Sequence, residues 1–287
     1  MSEAPGAIEY SRYGAARGLL GLREAAAMFA RARIAWLMLL LAYYMALATL
    51  RMLPLVGVFL VPLLKPVFAV GFLAAAWTVE RGGKPRLRHL LQGFQSNLRA
   101  LLPLGVVFVI GITIAVMASA VVDQGKLMEF LSNPPAGVQE GDAAAADAIE
   151  SVLLDTRVQL GMLFAALCAL PVLLALWFAP ALIVFQDMRA RAALSTSLRA
   201  ALANWRALLV YALAVFVFAG LTPTMLVALL SMLLSGFPDE LRATLTYAIV
   251  LPYVAMLIAI LQISDYICYR DVFHAQETPG PLPPPMT

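Results

Sequence analysis

Six stretches of this chain are too long and too apolar to be ordinary soluble helices. They cover residues 34–50, 55–79, 101–122, 160–185, 208–234 and 243–263. A helix needs about 20 residues to cross a hydrocarbon core of about 30 Å. In lipid the backbone must satisfy its own hydrogen bonds, so each stretch is predicted to be a spanning helix. The first is the shortest and ends at Arg51, whose side chain can reach out to the headgroups. Composition agrees: 62% of the 287 residues are hydrophobic and 13% are charged, against about 45–50% and 25% in soluble domains. The expected fold is all-α, a polytopic membrane bundle of six transmembrane helices.

Charge sets the expected orientation. Arg12, Arg17, Arg23, Arg31 and Arg33 precede the first span. Arg81, Lys84, Arg86, Arg88 and Arg99 lie between the second and third, and Arg189, Arg191, Arg199 and Arg206 between the fourth and fifth. Arg270 follows the sixth. The opposite side is acidic, with Asp123, Glu129, Glu140, Asp142, Asp147, Glu150 and Asp155 in one loop and Asp239 and Glu240 in another. Basic loops stay in the cytoplasm. The chain is therefore expected to have both termini in the cytoplasm. A pI near 9.0 then points to anionic lipid rather than nucleic acid, because the arginines flank spans. Cys168 and Cys268 have no partner across an oxidising loop, so no disulfide is expected. No cleavable signal peptide is evident. The organisation read from these features is a tail at 1–13, a membrane domain at 14–272 with an outer loop at 123–157, and a Pro-rich disordered tail at 273–287. In the outer loop, Asp142 is expected to cap a helix leading into span four.

One phrase occurs twice. SNLRALL at 96–102 is answered by ANWRALL at 203–209, pairing Asn97 and Arg99 with Asn204 and Arg206. Upstream of the first, Leu87, Leu90, Leu91, Phe94 and Leu98 share one helical face. Upstream of the second, Leu194, Leu198, Leu202 and Trp205 do the same. Leu19, Leu22, Ala26 and Phe29 form a weaker third stripe ahead of span one. Each returning span carries a proline, at Pro62, Pro171 and Pro252. The expected plan is three hairpins, each preceded by a basic amphipathic interfacial helix. Asn97 and Asn204, with Arg99 and Arg206, mark the elbows, where the asparagines cap or tether the interfacial helix.

The stretches ERGGKPRLRHLLQGFQSNLRALLPLG at 80–105 and WFAPALIVFQDMRARAALSTSLRAALANWRALL at 177–209 resemble a group of uncharacterised proteobacterial multi-pass inner-membrane proteins of the BPSS type. The second stretch is also similar to the membrane domain fused to some glycerophosphodiester phosphodiesterases. The resemblance covers most of residues 14–272 and implies a six-helix inner-membrane body. It implies no catalytic residue, and the phosphodiesterase domain itself is absent here.

Lys65, in VPLLKPVFAVG, is the clearest oddity. A charge inside a span costs at least about 2.5–3.5 kcal/mol on insertion scales. Either Lys65 holds an anion or lipid phosphate, with Pro62 and Pro66 loosening the helix, or it snorkels outward or pairs with another helix. No nucleotide-binding, zinc-hydrolase or serine-hydrolase motif occurs. No cofactor or metal is expected, and His89 and His274 stand alone in the sequence. The function expected is therefore non-enzymatic: a lipid-interacting or scaffold bundle. Arg17, Arg31, Arg86, Arg88, Arg191 and Arg199 are its candidate contacts to anionic inner-leaflet lipid. The alternative is a small-molecule or lipid transporter with its site near Lys65.

Overall fold

The computed structural model describes residues 10–53, 56–133 and 143–274. Among them the chain forms helices and turns and no strand. Helices α1 (Ala16–Arg31) and α2 (Arg33–Arg51) are separated by a break at Ala32. α3 (Val56–Glu80) absorbs Pro62 and Pro66 without ending. A 3-10 turn at Leu87–Leu91 and the one-turn α4 (Gln92–Gln95) lead to α5 (Leu98–Asp123). α6 (Lys126–Ser132) and α7 (Ala143–Leu154) come before α8 (Thr156–Trp177) and α9 (Ala179–Gln186). α10 (Ala190–Ala203) precedes one long rod made of α11 (Trp205–Val215), a π-helical turn at Phe216–Leu221 and α12 (Thr222–Leu233). α13 (Asp239–His274) ends the described chain.

Among the described residues six rods are long and apolar enough to cross a membrane: Arg33–Arg51, Phe59–Glu80, Leu98–Asp123, Thr156–Gln186, Trp205–Leu233 and Asp239–His274. This is a multi-pass membrane protein. The rod holding α8 and α9 bends at Phe178 for a local reason. Pro180 brings no N–H to the helical ladder. The Phe178 N–H instead donates to Ser197 Oγ at 3.0 Å, and that hydroxyl donates to the Leu174 carbonyl at 2.8 Å. A side chain of α10 thus satisfies backbone groups freed by the bend.

Rod length shows where the core lies. The 36 residues of α13 extend about 54 Å, far beyond a hydrocarbon core of about 30 Å. Its last third carries buried Ile263 and Ile267, which pack with Val67, Val70 and Phe72 of α3 and with Phe178, Leu182 and Ile183 around α9. Trp36 and Leu39 of α2, Leu101 and Leu104 of α5, and Ala193 and Ala200 of α10 complete this core. The other end of the rods is different. Ile110, Ile114, Met117 and Val121 of α5, Leu160, Leu163 and Leu167 of α8, and Met225 and Met232 of α12 are exposed. Apolar surface this continuous is what acyl chains cover. The molecule has two tiers: a packed one at the end carrying the short helices and a splayed, apolar one beyond.

The short helices pack onto the ends of returning rods. The 87–95 segment lies on α3, α10 on α8 and α9, and α1 on α13. Close approach is set by glycine. A Cβ on Gly18 would sit 2.1 Å from the Ala207 carbonyl oxygen of α11, and one on Gly105 would sit 2.1 Å from the Leu63 carbonyl oxygen of α3. Small residues let backbones meet in this way.

Several sequence expectations change here. The 87–98 stretch is not one helix, since Ser96 is extended. Leu90 is buried, while Leu87 and Leu91 are exposed. In α1 the buried face is Gly18, Gly21, Ala25 and Met28, with Phe29, and Leu19 points out. The backbone approach at Gly18 decides that face. Helix α13 runs to His274, past the expected domain edge at 272. Asp142 and the tail from 275 lie outside the described residues. At the far end, Asp123 is fully buried and accepts from Ser119, Gly125 and Leu127, closing the turn into α6. Asp155 caps α8 through the Arg157 N–H and pairs with Lys126.

Candidate functional site

Pro66 follows Lys65 and withholds an N–H from the carbonyl one turn earlier. Lys65 lies nine residues into α3, about 13 Å from its start. Its ammonium sits over the Phe108 ring of α5, 4.8 Å from the centroid. A cation over an aromatic face gains about 0.5–2 kcal/mol, less than an ammonium loses in leaving water. Among the described residues Lys65 makes no salt bridge and no hydrogen bond.

Lys65 opens onto a cavity of about 360 Å³, within the size range of small-ligand sites. Five rods contribute to it: Lys65, Pro66 and Ala69 from α3, Phe108 from α5, Leu173, Leu176 and Trp177 from α8, Tyr211 from α11 and Asp265 from α13, with Pro180 of α9. Its walls are apolar apart from four side chains. Asp265 is the acidic one, and Lys65 is its charged neighbour across the space. Tyr211 is buried, and its hydroxyl lies 2.8 Å from Ser264 Oγ. Ser264 donates its own proton to the Leu261 carbonyl at 2.7 Å, so Tyr211 is the donor of that pair. Trp177 packs edge-on against Tyr211, and its indole N–H is buried without a partner among the described residues. α8 packs on α5 and α10 and makes no extensive contact with α11 or α12. The cavity occupies the seam between them.

Asp265 is the residue that sequence reasoning missed. From the sequence, Asp265 and Asp271 near the end of span six read as solvated or paired with Arg270. The helix instead continues for nine residues more, so Asp265 lies between the two tiers. The signal was present: Ile263, Tyr266, Ile267 and Tyr269 keep apolar bulk coming through the polar run, and all four are buried.

A second cluster lies deeper in the packed tier. Arg17 of α1 reaches Asp271 at 2.6 Å and Glu24 at 2.7 Å. Arg270 reaches Glu24 at 2.7 Å, Glu80 at 2.5 Å and Asp271 at 2.9 Å. Tyr266 donates to Glu80, and Tyr13 donates to the Asp271 carbonyl at 2.5 Å. The Asp271 hydrogen bond holds Arg17 firmly protonated, above its ordinary value. Burial pushes the Glu24 carboxyl up, but hydrogen bonds from Arg270 and Arg17 outweigh it and hold Glu24 below the usual range. Burial first, and the Asp271 charge second, push the Tyr13 phenol up. This network ties α1 to the ends of α3 and α13. Ser11 also donates to the Val272 carbonyl at 2.7 Å, so the start of the described chain lies beside the end of the last rod.

The candidate lipid contacts divide accordingly. Arg31, Arg86, Arg88, Arg191 and Arg199 are exposed and in no salt bridge among the described residues. Arg17, also a candidate contact, differs from these: it pairs with Asp271 and Glu24, so its charge is matched inside the protein. The paired asparagines also diverge. Asn97 accepts from the Ala100 N–H at 3.2 Å and caps α5. Asn204 accepts from the Tyr13 N–H at 2.9 Å and donates to the Ser11 and Ala200 carbonyls, each at 3.0 Å, so it tethers the N-terminal segment. Arg99 and Arg206 are exposed, and Arg206 lies over the Trp205 ring at 5.5 Å. His89 is buried and accepts from the Arg86 N–H at 3.0 Å. Burial, then Arg88 and Arg86, hold its imidazole below the ordinary value. Among the described residues no cluster of three or more His, Cys, Asp or Glu is arranged to hold a metal.

A probable inner membrane protein of Burkholderia thailandensis is 29% identical to this chain over 273 residues, covering 93% of this chain and 94% of that protein. The similarity spans most of both chains and supports a proteobacterial membrane protein. That protein's name says nothing of a phosphodiesterase, so the likeness to phosphodiesterase membrane domains gains no support. No family model matches, and no solved structure matches.

Proposed function

We propose that this protein is a non-enzymatic, lipid-interacting helix bundle of the bacterial inner membrane that holds a monoanionic headgroup at Lys65. The observation that carries this is an ammonium inside a span, facing a cavity, with only a ring beneath it and no ion pair. An intramembrane cation is retained where it meets an anion. The apolar walls, Phe108, Leu173 and Leu176, suit an acyl chain beside that anion. The seam between α8 and α11 gives the chain a way out into the bilayer. This favours the binding or transport alternative over a pure scaffold.

Both termini are placed in the cytoplasm on this account, with three hairpins each led by a basic short helix. The support is the sharing of one end by the arginine-bearing loops and the packed tier. At that end exposed Leu19 and Leu20, Leu87 and Leu91, and Leu202 and Trp205 stand near exposed Arg23, Arg88 and Arg199. Apolar groups beside arginines are what an anionic leaflet binds. Native mass spectrometry of gently extracted protein tests the site. Wild type carries one tightly held anionic phospholipid, and Lys65→Met loses it while remaining folded. Equal retention by the variant sinks the proposal.

A further inference from the structure

We infer that the anion at Lys65 enters together with one proton, taken up by Asp265, so that the cavity binds a proton and a phosphodiester or carboxylate headgroup as a unit. This rests on the Lys65 reading and adds the coupling to it. The argument is charge balance in one cavity. Lys65 and Asp265 line the same space but form no salt bridge with each other. While Asp265 is ionised, the pair is neutral overall and an arriving anion brings an uncompensated charge into a low-dielectric site. Once Asp265 takes a proton, Lys65 and the anion form the neutral pair instead. Proton and anion therefore favour one another, and the coupling is reciprocal.

The groups facing Asp265 support this assignment. From α3 the charged neighbour is Lys65. From α11 the titratable group facing it is Tyr211, a neutral phenol whose proton is given to Ser264. From α13 itself it is Cys268, one turn on. The walls from α5, α8 and α9 bring Phe108, Leu176, Trp177 and Pro180, none of which titrates in the working range. Asp265 receives no hydrogen bond among the described residues, so its own proton is the simplest source of neutrality.

No covalent step is involved; one proton moves from bulk water to the Asp265 carboxylate.

The test uses full-length protein in detergent and two probes of constant charge. Dihexanoyl phosphatidylglycerol carries headgroup and chains, and glycerophosphoglycerol carries the same phosphodiester without chains. Affinity is measured between about pH 5 and pH 9, where a phosphodiester keeps one negative charge. Wild type should bind the lipid with affinity falling about tenfold per pH unit once Asp265 ionises, the slope of one linked proton. Asp265→Asn should bind with a flat pH profile, and Lys65→Met should not bind. Retention of the full slope in Asp265→Asn overturns the coupling while leaving the Lys65 site intact. A flat wild-type profile does the same. Failure of wild type to bind either probe at any pH overturns the Lys65 reading, and the coupling with it. Equal affinity for the two probes keeps the coupling and assigns the site to a soluble anion instead of a lipid.

Discussion

Single side chains in this protein take their roles from what folds against them. His89 is an example. Alone in the sequence, it becomes a buried acceptor for the Arg86 N–H that opens the segment 87–95. Its folded value lies below 6.5 because burial and two arginines disfavour the imidazolium. A group with a depressed folded value stabilises the fold above its unfolded value, and that contribution is lost as pH falls through the folded one. Thermal stability should therefore decline below about pH 6.5, and the decline should shrink in His89→Asn, whose amide oxygen can still accept from Arg86; differential scanning fluorimetry across that range measures it. Glu24 has the same sign at lower pH, adding a second loss in the carboxylate range as its bonds to Arg17 and Arg270 break. Asn97 and Asn204 carry the same lesson. Their flanks match in sequence, but only Asn204 has an N-terminal segment passing beside it. No local pattern contains that segment.

At the scale of elements, the spans were legible and the faces were not. Long apolar runs can satisfy their backbone in lipid only as helices, so six rods followed from hydropathy alone. Which face of a short helix is buried depends on its partner. The Leu19 stripe of α1 has the greater hydrophobicity, but Gly18 permits contact with the α11 backbone, and contact wins. Gly18→Leu should undock α1, lowering the melting temperature and exposing residues 10–31 to limited proteolysis; Gly105→Leu should separate α5 from α3 and release bound lipid. Asp271→Asn tests the same docking electrostatically. Removing that charge from Arg17 and Arg270 should cost about 1.5–3 kcal/mol, the range for hydrogen bonds to charged groups, read as a lower denaturation midpoint. Asp265 escaped sequence reasoning because a run of Asp265, Arg270 and Asp271 resembles an exit into water. The run instead enters a second packed layer, which hydropathy cannot separate from solvent.

For the whole molecule, the two tiers give the protein its character. A packed end holds the short helices, the ion network and the start of the chain. The splayed end leaves α5, α8 and the α11–α12 rod facing lipid, with a cavity where the tiers meet. Orientation is testable with single cysteines in a background lacking Cys168 and Cys268. Asp239→Cys should react with an impermeant maleimide added outside intact spheroplasts, and Arg88→Cys should react only after lysis. The most direct measurement is a density map of the full-length protein in nanodiscs containing phosphatidylglycerol. The account predicts a headgroup in the seam between α8 and α11, its phosphate beside Lys65 Nζ and its chains leading into the bilayer. An unfilled seam, with the Lys65 ammonium drawn out to the outer headgroup layer, would contradict it.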